Sequence, residues 1–227
     1  MSIIQVKSLQ KIYEQEAVPV VAINGIDLLF ERGEFTAVVG PSGSGKTTLL
    51  NIIGGLDDAT QGEVIIDGQN IETFSNRQKT DFRMNHIGFV FQAYNLIPVF
   101  TAKENVEFVM QLQGKSKAER EARTTELLEA VGLADRMESR PNKLSGGQQQ
   151  RVAVARALAS KPKFILADEP TANLDSKTTE NLLAIMEKLN RDEGVTFIFS
   201  THDQRVMAKA RRVITIEDGV VISDVKK

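Results

Sequence analysis

Residues 35–47, with the sequence FTAVVGPSGSGKT, join a short apolar run to a glycine-rich loop, and the pattern TTLLNII follows at residues 47–53. An unbroken apolar run of this length is typical of a strand buried on both faces, and the pattern after the loop is typical of a helix. Gly40 to Thr47 fits the motif of glycine, any four residues, and Gly-Lys-Thr, in which backbone N–H groups converge on phosphate oxygens. This strand–loop–helix unit predicts a doubly wound α/β fold built around a phosphate-binding loop.

Two side chains of this loop have predicted chemical roles. We expect Lys46 to neutralise the β- and γ-phosphates of a nucleotide and the Thr47 hydroxyl to ligate Mg²⁺. The alternative is a glycine-rich turn without chemistry. It fits less well, because strand and helix patterns flank the loop as phosphate binding requires.

Further apolar patterns extend this unit into larger sheets. Unbroken runs indicate more buried parallel strands, at residues 87–91, 164–167 and 195–200. Alternating patterns indicate antiparallel strands of a half-buried sheet, at residues 3–6, 20–30 and 62–67. Residues 212–224 are typical of a hairpin with Asp218-Gly219 at its turn.

Residues 101–159 have a different character, because Glu, Lys, Arg, Leu and Ala dominate and the apolar residues recur at helical spacing. We interpret this region as an inserted helical subdomain. The predicted fold is one α/β domain over residues 1–227: a phosphate-loop NTPase core with a mainly parallel sheet, an N-terminal antiparallel β subdomain, and an α-helical subdomain inserted at about residues 93–160.

Two adjacent carboxylates, Asp168 and Glu169, end the apolar run that begins at Phe164. Doubly wound sheets bind their ligands at the carboxyl ends of the strands. We therefore expect Asp168 to belong to the Mg²⁺ shell and Glu169 to polarise a water for attack on the γ-phosphate. The alternative is an acidic strand cap or a solvated pair.

Three more polar side chains follow predicted strands. The Gln92 amide is placed to reach the metal or the attacking water, although a lone glutamine after a strand is usually a loop residue. His202 is placed to donate a hydrogen bond to a γ-phosphate oxygen, with a capping or exposed histidine as the alternative. Tyr13 is placed to stack on an adenine ring, with a half-buried core tyrosine as the alternative.

A second candidate phosphate-binding element is Leu144-Ser145-Gly146-Gly147-Gln148. A Ser-Gly-Gly run that opens a helix offers free backbone N–H groups and the positive end of the helix dipole. Because the chain already contains a phosphate-binding loop, we interpret this element as serving a nucleotide held by another copy of the protein.

Composition narrows the classes of partner. The chain has 227 residues, with 28 Lys and Arg against 30 Asp and Glu, and a formal net charge of −2. It offers no bulk electrostatic attraction for nucleic acid or an anionic membrane, so we expect no nucleic-acid partner. The absence of cysteine excludes disulfides and thiolate metal sites. No signal-peptide pattern or bilayer-spanning run is present, so we expect neither secretion by that route nor integration into a membrane.

These motifs occur in the order found in ATP-binding-cassette ATPases, which the chain resembles over nearly its whole length. The motifs that carry the resemblance are the phosphate loop, Gln92, Leu144 to Gln148, Asp168-Glu169, Asn173-Leu174-Asp175 and His202. The resemblance implies a head-to-tail homodimer that forms on ATP, with two ATP molecules sandwiched between the phosphate loop of one copy and the Ser-Gly-Gly helix of the other.

The resemblance also implies a complete set of site residues. ATP and Mg²⁺ would be bound in one copy by Tyr13, Gly40, Pro41, Ser42, Gly43, Ser44, Gly45, Lys46, Thr47, Thr48, Gln92, Asp168, Glu169 and His202. The partner copy would contribute Ser145, Gly146, Gly147 and Gln148, and Asp175 would lie at the dimer interface. Of these, Thr47, Gln92 and Asp168 would ligate Mg²⁺, and Lys46, Gln92, Glu169 and His202 would act in hydrolysis.

Longer stretches narrow the branch of the family. Residues 41–57, 88–98 and 144–158 are similar to the ATPase subunits of lipoprotein-release, macrolide-efflux and antimicrobial-peptide-resistance exporters. This implies a separate transmembrane permease, through which alone the chain contacts the membrane, and a cytoplasmic location at the inner face of the cell membrane. Residues 93–100 are the expected docking lip, although their apolar members fit an ordinary core equally well. Arg140 and Asn173 depart from the usual family pattern.

Two alternative functions remain open. One is an ATP-switched regulator of a membrane-bound cell-wall or division complex, which would need the same residues as export. The other is a non-transport cassette ATPase of translation or DNA repair. It fits less well, because those proteins carry tandem cassettes or long coiled coils and this chain has no sustained heptads and no basic stripe.

Overall fold

The computed structural model describes residues 2–14 and 18–227. The strands are β1 (Ser2–Tyr13), β2 (Val20–Glu31), β3 (Phe35–Val39), β4 (Gln61–Ile66), β5 (Gln69–Asn70), β6 (Ile87–Val90), β7 (Phe164–Asp168), β8 (Thr196–Thr201), β9 (Arg212–Glu217) and β10 (Val220–Lys226). The helices are α1 (Lys46–Ile53), α2 (Asn76–His86), α3 (Ala102–Leu112), α4 (Lys117–Ala130), α5 (Gly146–Ala159), α6 (Ser176–Glu193) and α7 (Gln204–Lys209). Short 3₁₀ turns lie at Ile71–Thr73, Ala134–Arg136 and Pro141–Lys143.

The chain divides into two compact units. The first unit runs from the start of the chain to Arg83 and continues with Thr196–Lys227. The second unit is Met84–Val195, and it contains the helix-rich region together with β6, β7 and α6. The α/β phosphate-loop fold is confirmed, whereas the boundary of a helical subdomain at residues 93–160 stays a prediction.

The first unit contains both kinds of strand pairing that the sequence patterns predict. One sheet is antiparallel with the order β2-β1-β4-β5. In the other, strands follow the order β10-β9-β3-β8, in which β3 is parallel to both of its neighbours and β9 and β10 form the predicted hairpin. The central strand β3 is therefore hydrogen-bonded on both edges.

The apolar run at residues 35–39 is a core strand because it is covered on both faces. All five residues of β3 are buried. The Phe35 ring centroid lies 5.7 Å from that of Phe197 and 4.9 Å from that of Phe199, both on β8. Four apolar side chains of α1 are also buried, so the helix that follows the phosphate loop is anchored in this core.

The second unit is built on the parallel pair β6 and β7, with register partners from Ile87↔Phe164 to Val90↔Ala167. Helix α5 approaches this pair closely, because a Cβ built at Gly88 would lie 2.4 Å from the Ala157 carbonyl oxygen. Helices α3 and α4 pack against each other and against α5. Both begin at capping boxes, Thr101 with Glu104 and Ser116 with Glu119.

Within the described residues, 2–14 and 18–227, no helix is both long enough and apolar enough to cross a bilayer.

Candidate active site

The phosphate-binding loop of the first unit connects β3 to α1. Gly45 caps α1 with φ of 101°, and a Cβ there would lie 2.3 Å from the Ala22 carbonyl oxygen, so only glycine fits. Gly43 also has a positive φ, 80°, but a Cβ built on it meets no atom within 4 Å. The loop therefore packs against the protein at Gly45 and faces open space at Gly43, beside the positive end of the α1 dipole.

Lys46 turns back into its own loop. Its Nζ donates hydrogen bonds to the carbonyl oxygens of Gly40, at 2.9 Å, and Pro41, at 2.7 Å. The residue is only 8% exposed, and among the ion pairs of the described residues it has no carboxylate partner. A buried ammonium held only by carbonyls lacks a counter-charge, and a nucleotide phosphate would supply one.

Ser44 adds a second unsatisfied group to the loop. The residue is 3% exposed, and its Oγ has no hydrogen-bond partner. Its backbone is fixed, because the Ser44 carbonyl accepts a hydrogen bond from the Gly219 N–H at 3.1 Å. A buried hydroxyl without a partner is costly, so this loop is suited to a polar ligand with several oxygen acceptors.

Tyr13, at the end of β1, forms a hydrogen bond with Asp57, which is not among the predicted site residues. Its hydroxyl donates to Asp57 Oδ2 at 2.6 Å, across 44 residues of chain. The pKa of Tyr13 is raised, first by burial and then by this hydrogen bond, so the phenol stays a neutral donor. Lys11 Nζ lies 4.7 Å from the centroid of the Tyr13 ring. The sequence contains no local signal that would join these three side chains.

His202 follows β8 and is exposed. The parallel register pairs Val39 with Thr201. The next residue on each strand, Gly40 at the start of the phosphate loop and His202, therefore leaves the sheet at the same edge, side by side. Asp203 next to it accepts hydrogen bonds from Arg205, which hold the pKa of the Asp203 carboxyl below its usual range. The first unit thus contains Tyr13, the phosphate loop and His202, and their role in binding a nucleotide stays a prediction.

The second unit holds the predicted acidic pair. Asp168 is the last residue of β7, and Glu169 follows it with a positive φ of 45°. Val90 and Ala167 are register partners in parallel strands, so Gln92 and Glu169 each come two residues after the paired position. The same sheet edge therefore presents Gln92, Asp168 and Glu169.

Two residues that are not among the predicted site residues stabilise the loops after β6 and β7. The Asn173 amide donates to the Gln92 carbonyl oxygen at 3.0 Å, and the Gln150 amide, on α5, donates to the Pro170 carbonyl oxygen at 2.7 Å. Gln150 is fully buried, and Pro170 directly follows Glu169. Asn173, which departs from the family pattern, is thus a link between the Gln92 loop and the loop after the acidic pair.

The loop after Gln92 is also held by α5. Tyr94 and Asn95 both have positive φ, at 61° and 50°, a conformation that L-residues rarely adopt in succession. The Arg156 guanidinium donates to both of their carbonyl oxygens, at 2.8 Å for Tyr94, and burial lowers the pKa of Arg156. The Tyr94 hydroxyl packs on Gly146, where a Cβ would come within 2.8 Å of it.

The Ser-Gly-Gly helix is α5, and its first turn is capped more fully than the motif predicts. Ser145 Oγ accepts the Gln148 N–H, and Gln148 Oε1 accepts the Ser145 N–H at 2.8 Å. This capping box occupies two donors that we expected to be free. The N–H groups of Gly146 and Gly147, at the first two helical positions, have no carbonyl one turn earlier to bind. The N–H groups of Gly146 and Gly147 are therefore the two donors that could bind an anion.

Helix α6 packs directly on this turn. A Cβ built at Gly147 would lie 2.3 Å from Thr178 Cγ2, so glycine is required there by close approach. Asp175 caps α6: its Oδ1 accepts the Thr178 N–H at 3.0 Å and its Oδ2 accepts the Thr178 hydroxyl at 2.6 Å. The hydrogen bonds from Thr178 hold the pKa of Asp175 below its usual range. The loop that ends at Asp175 and the α5 terminus are therefore one packed structure.

A strand–loop–helix phosphate site, a lysine buried in it and an acidic pair at the end of a parallel strand define a phosphate-loop nucleotide hydrolase. Comparison with known proteins identifies the family: the family model described as ABC transporter matches residues 23–172, and the chain belongs to this family. It is an ATP-binding, ATP-hydrolysing subunit of an ABC transporter, as its motifs predict.

Relatives and a solved structure agree. The chain is 46% identical to a macrolide export ATP-binding/permease protein MacB of Aggregatibacter actinomycetemcomitans, over all of this chain but 35% of that protein. It is 41% identical to the lipoprotein-releasing system ATP-binding protein LolD of Alcanivorax borkumensis, over 96% of each. It matches a dimeric, post-hydrolysis structure of the ATP-binding cassette MJ0796 bound to ADP and Pi, with a TM-score of 0.91, 44% identity and 98% coverage of each chain.

The chain thus spans about a third of the macrolide-export relative and nearly all of the lipoprotein-release one. These relatives confirm the similarity to the lipoprotein-release and macrolide-efflux branch.

Proposed function

We propose that two copies of this chain form a head-to-tail dimer that encloses two ATP molecules, and that formation of this dimer drives a separate membrane permease. The solved cassette that the chain matches is a dimer bound to ADP and Pi, which supports the dimer. The observation that carries the proposal is the first turn of α5, where the N–H groups of Gly146 and Gly147 precede the first intrahelical hydrogen bond, from Gln149 to Ser145, although the chain already has a phosphate loop. Loss of the γ-phosphate on hydrolysis would reopen the dimer.

Within one copy, the phosphate loop from Gly40 to Thr48 holds the phosphates, and Lys46 supplies their counter-charge. Glu169 orients and deprotonates the attacking water, and His202 donates a hydrogen bond to the γ-phosphate. Tyr13 stacks on the adenine ring. These roles rest on the family motifs and on the placement of each side chain within its own unit.

We propose that Mg²⁺ binds with the nucleotide through Thr47, Gln92 and Asp168. A hydroxyl, an amide and a carboxylate are hard oxygen donors, which suit this ion. The part of the chain that the structure describes holds no group of three or more His, Asp or Glu side chains that could bind a metal ion by itself, and Mg²⁺ usually takes only one or two protein ligands beside substrate phosphates. When bound, the ion would neutralise charge on the β- and γ-phosphates.

The partner copy contributes Ser145, Gly146, Gly147 and Gln148 to each site. Within the capping box Ser145 Oγ accepts a hydrogen bond, so its own proton is available to a phosphate oxygen. The Gln148 side chain likewise keeps its NH₂ group. Asp175, which fixes the start of α6 against this turn, lies at the proposed dimer interface and couples the two sites.

The permease would dock on residues 93–100. Val99 projects into solvent at 67% exposure, and Phe108 and Leu112 of α3 add exposed apolar surface in the same unit. The shape of this segment is fixed by Asn105, which is 1% exposed and bonds the Ile97 N–H and carbonyl. A rigid apolar lip suits a hydrophobic partner segment. We propose that the chain is peripheral at the cytoplasmic face of the cell membrane, held there by the permease.

We propose that the complex exports a lipoprotein, a peptide or a drug; the names of the relatives, macrolide export and lipoprotein release, support the first and the last. We place recognition of the substrate in the permease.

The test of the shared site is Ser145→Phe. A bulky side chain at the α5 terminus should abolish cooperative ATP hydrolysis but leave nucleotide affinity of the dilute monomer unchanged, measured by calorimetry. The matched control is Ser116→Phe, because Ser116 caps α4 with the same box and has no proposed ligand. It should cost about 0.5–2 kcal/mol of stability and spare hydrolysis. Weaker nucleotide binding by the Ser145→Phe monomer would contradict the shared site.

A further inference from the structure

A compact polar network surrounds Tyr13. Lys11 Nζ donates to Asp57 Oδ1 at 2.6 Å and to the Asp58 carbonyl oxygen at 2.7 Å, while the Tyr13 hydroxyl donates to the other Asp57 oxygen at 2.6 Å. The Asp58 N–H donates to Asp57 Oδ1 at 2.8 Å. One carboxylate thus fastens the end of β1 to the turn that follows α1.

The network also touches the phosphate-loop helix. The Thr48 hydroxyl is near enough to the Tyr13 phenol to lower its pKa, against the larger effect of burial, and Thr48 lies in the first turn of α1, two residues after Lys46. The distal end of the Tyr13 ring is therefore fixed relative to the loop that would hold the phosphates of a nucleotide.

The two faces of the Tyr13 ring differ. Lys11 lies over one face, within the range of a cation–π contact, and its side chain is 12% exposed. Val20, the register partner of Tyr13 on β2, is 52% exposed and adds exposed apolar surface beside the ring. A base would stack on the face opposite Lys11.

A purely structural ion pair would not need this arrangement. Lys7 on β1 and Glu63 on β4 form an exposed pair at 3.7 Å, and neither is among the described residues with a cation–ring contact. The Lys11–Asp57 pair is shorter and more buried, at side-chain exposures of 12% and 28%, and it shares its carboxylate with the tyrosine. The shared carboxylate restricts rotation of the Tyr13 side chain before any ligand arrives.

We propose that Asp57 and Lys11 are positioning residues that hold the Tyr13 ring in the orientation that stacks on the base of the nucleotide. This inference rests on the proposed role of Tyr13 as the adenine contact. It assigns a function to two residues outside the nucleotide-binding motifs, and it places the base-binding surface on the side of Tyr13 away from Lys11.

The test compares ligands with and without a base. Calorimetry would measure the Kd of ADP and of pyrophosphate for Asp57→Asn, Lys11→Met and Tyr13→Phe. Each variant should raise the Kd of ADP about three- to ten-fold, the effect expected when one side chain must be ordered on binding, and leave the Kd of pyrophosphate unchanged. Lys7→Met is the matched control and should change neither constant.

A spectroscopic readout isolates the ring. The chain has two tyrosines and no tryptophan, so Tyr94→Phe leaves Tyr13 as the only tyrosine fluorophore. In that background ADP should quench the emission and pyrophosphate should not. Adding Asp57→Asn or Lys11→Met should weaken the ADP-dependent quench at a given ADP concentration.

Three results are distinguishable. If Tyr13→Ala leaves the Kd of ADP unchanged, the base contact itself is wrong. If Tyr13→Ala weakens ADP but Asp57→Asn and Lys11→Met do not, the base contact stands and the positioning role is overturned. If the Asp57 and Lys11 variants weaken ADP and pyrophosphate equally, they support the loop generally, and the positioning role is again overturned.

Discussion

Gly147→Ala would place a methyl group where α5 meets α6. The new Cβ would lie 2.3 Å from Thr178 Cγ2, against about 3.5–4.0 Å for carbon atoms in normal contact, so the two helix termini must separate by more than about 1 Å. Overpacking of this kind costs about 1–3 kcal/mol. The better helix propensity of alanine offsets at most about 1 kcal/mol. We expect a net loss of about 1–2 kcal/mol of unfolding free energy.

Function should suffer more than stability, because a displacement of about 1 Å at a reacting group can lower a rate about a hundred-fold. The rescue is Thr178→Ser, which removes the clashing methyl but keeps the hydroxyl that bonds Asp175. Urea unfolding and ATPase assays on both single variants and the double variant give a double-mutant cycle. In that cycle Thr178→Ser should restore most of the stability and activity that Gly147→Ala removes. A Gly147→Ala protein with wild-type stability, or a double variant no better than the single one, would refute the packing argument.

Three further outcomes are expected. Lys46→Met should weaken ADP binding about ten- to hundred-fold in calorimetry, since it removes a charged hydrogen-bond donor, whereas Lys7→Met should not. Asn173→Ala should lower the steady-state ATPase rate while the Kd of ADP stays constant, because it frees only the Gln92 carbonyl; an altered Kd would argue against this. Burial raises the pKa of Asp57, but the hydrogen bonds to its carboxylate outweigh burial and hold the pKa below its usual range. The ionised carboxylate therefore stabilises the folded protein above the unfolded pKa of about 3.9, and this stabilisation is lost as the pH falls through the folded pKa. Asp57→Asn should remove that acid-dependent loss of stability in thermal melts.

Local patterns were sufficient to predict the fold. The run at residues 35–39 is β3, because a strand with neighbours on both edges and cover on both faces needs mostly apolar residues, and its one polar residue, Thr36, is hydrogen-bonded to Glu34. The glycine and lysine spacing of the phosphate loop reflects backbone constraints that act within a few residues. The acidic pair was found for the same reason, since it ends a continuous apolar strand.

The contacts that hold the candidate site were not predictable in this way. Asn173 reaches Gln92 across 81 residues, and Arg156 reaches Tyr94 across 62. Each partner is chosen by tertiary packing, and a single asparagine or arginine leaves no periodic trace. The capping box of α5 is different: the spacing Ser-x-x-Gln at residues 145–148 is a local signal, and it could have shown which N–H groups are occupied.

The central claim is that each ATP lies between two copies of the chain. Glu169→Gln retains the phosphate loop and α5 but removes the proposed base, so Mg-ATP should trap a dimer with almost no turnover. Analytical ultracentrifugation should show this variant as a dimer with Mg-ATP and as a monomer with ADP, and the double variant with Ser145→Phe as a monomer in both. A Glu169→Gln protein that stays monomeric with Mg-ATP and hydrolyses it at the wild-type rate would contradict the account.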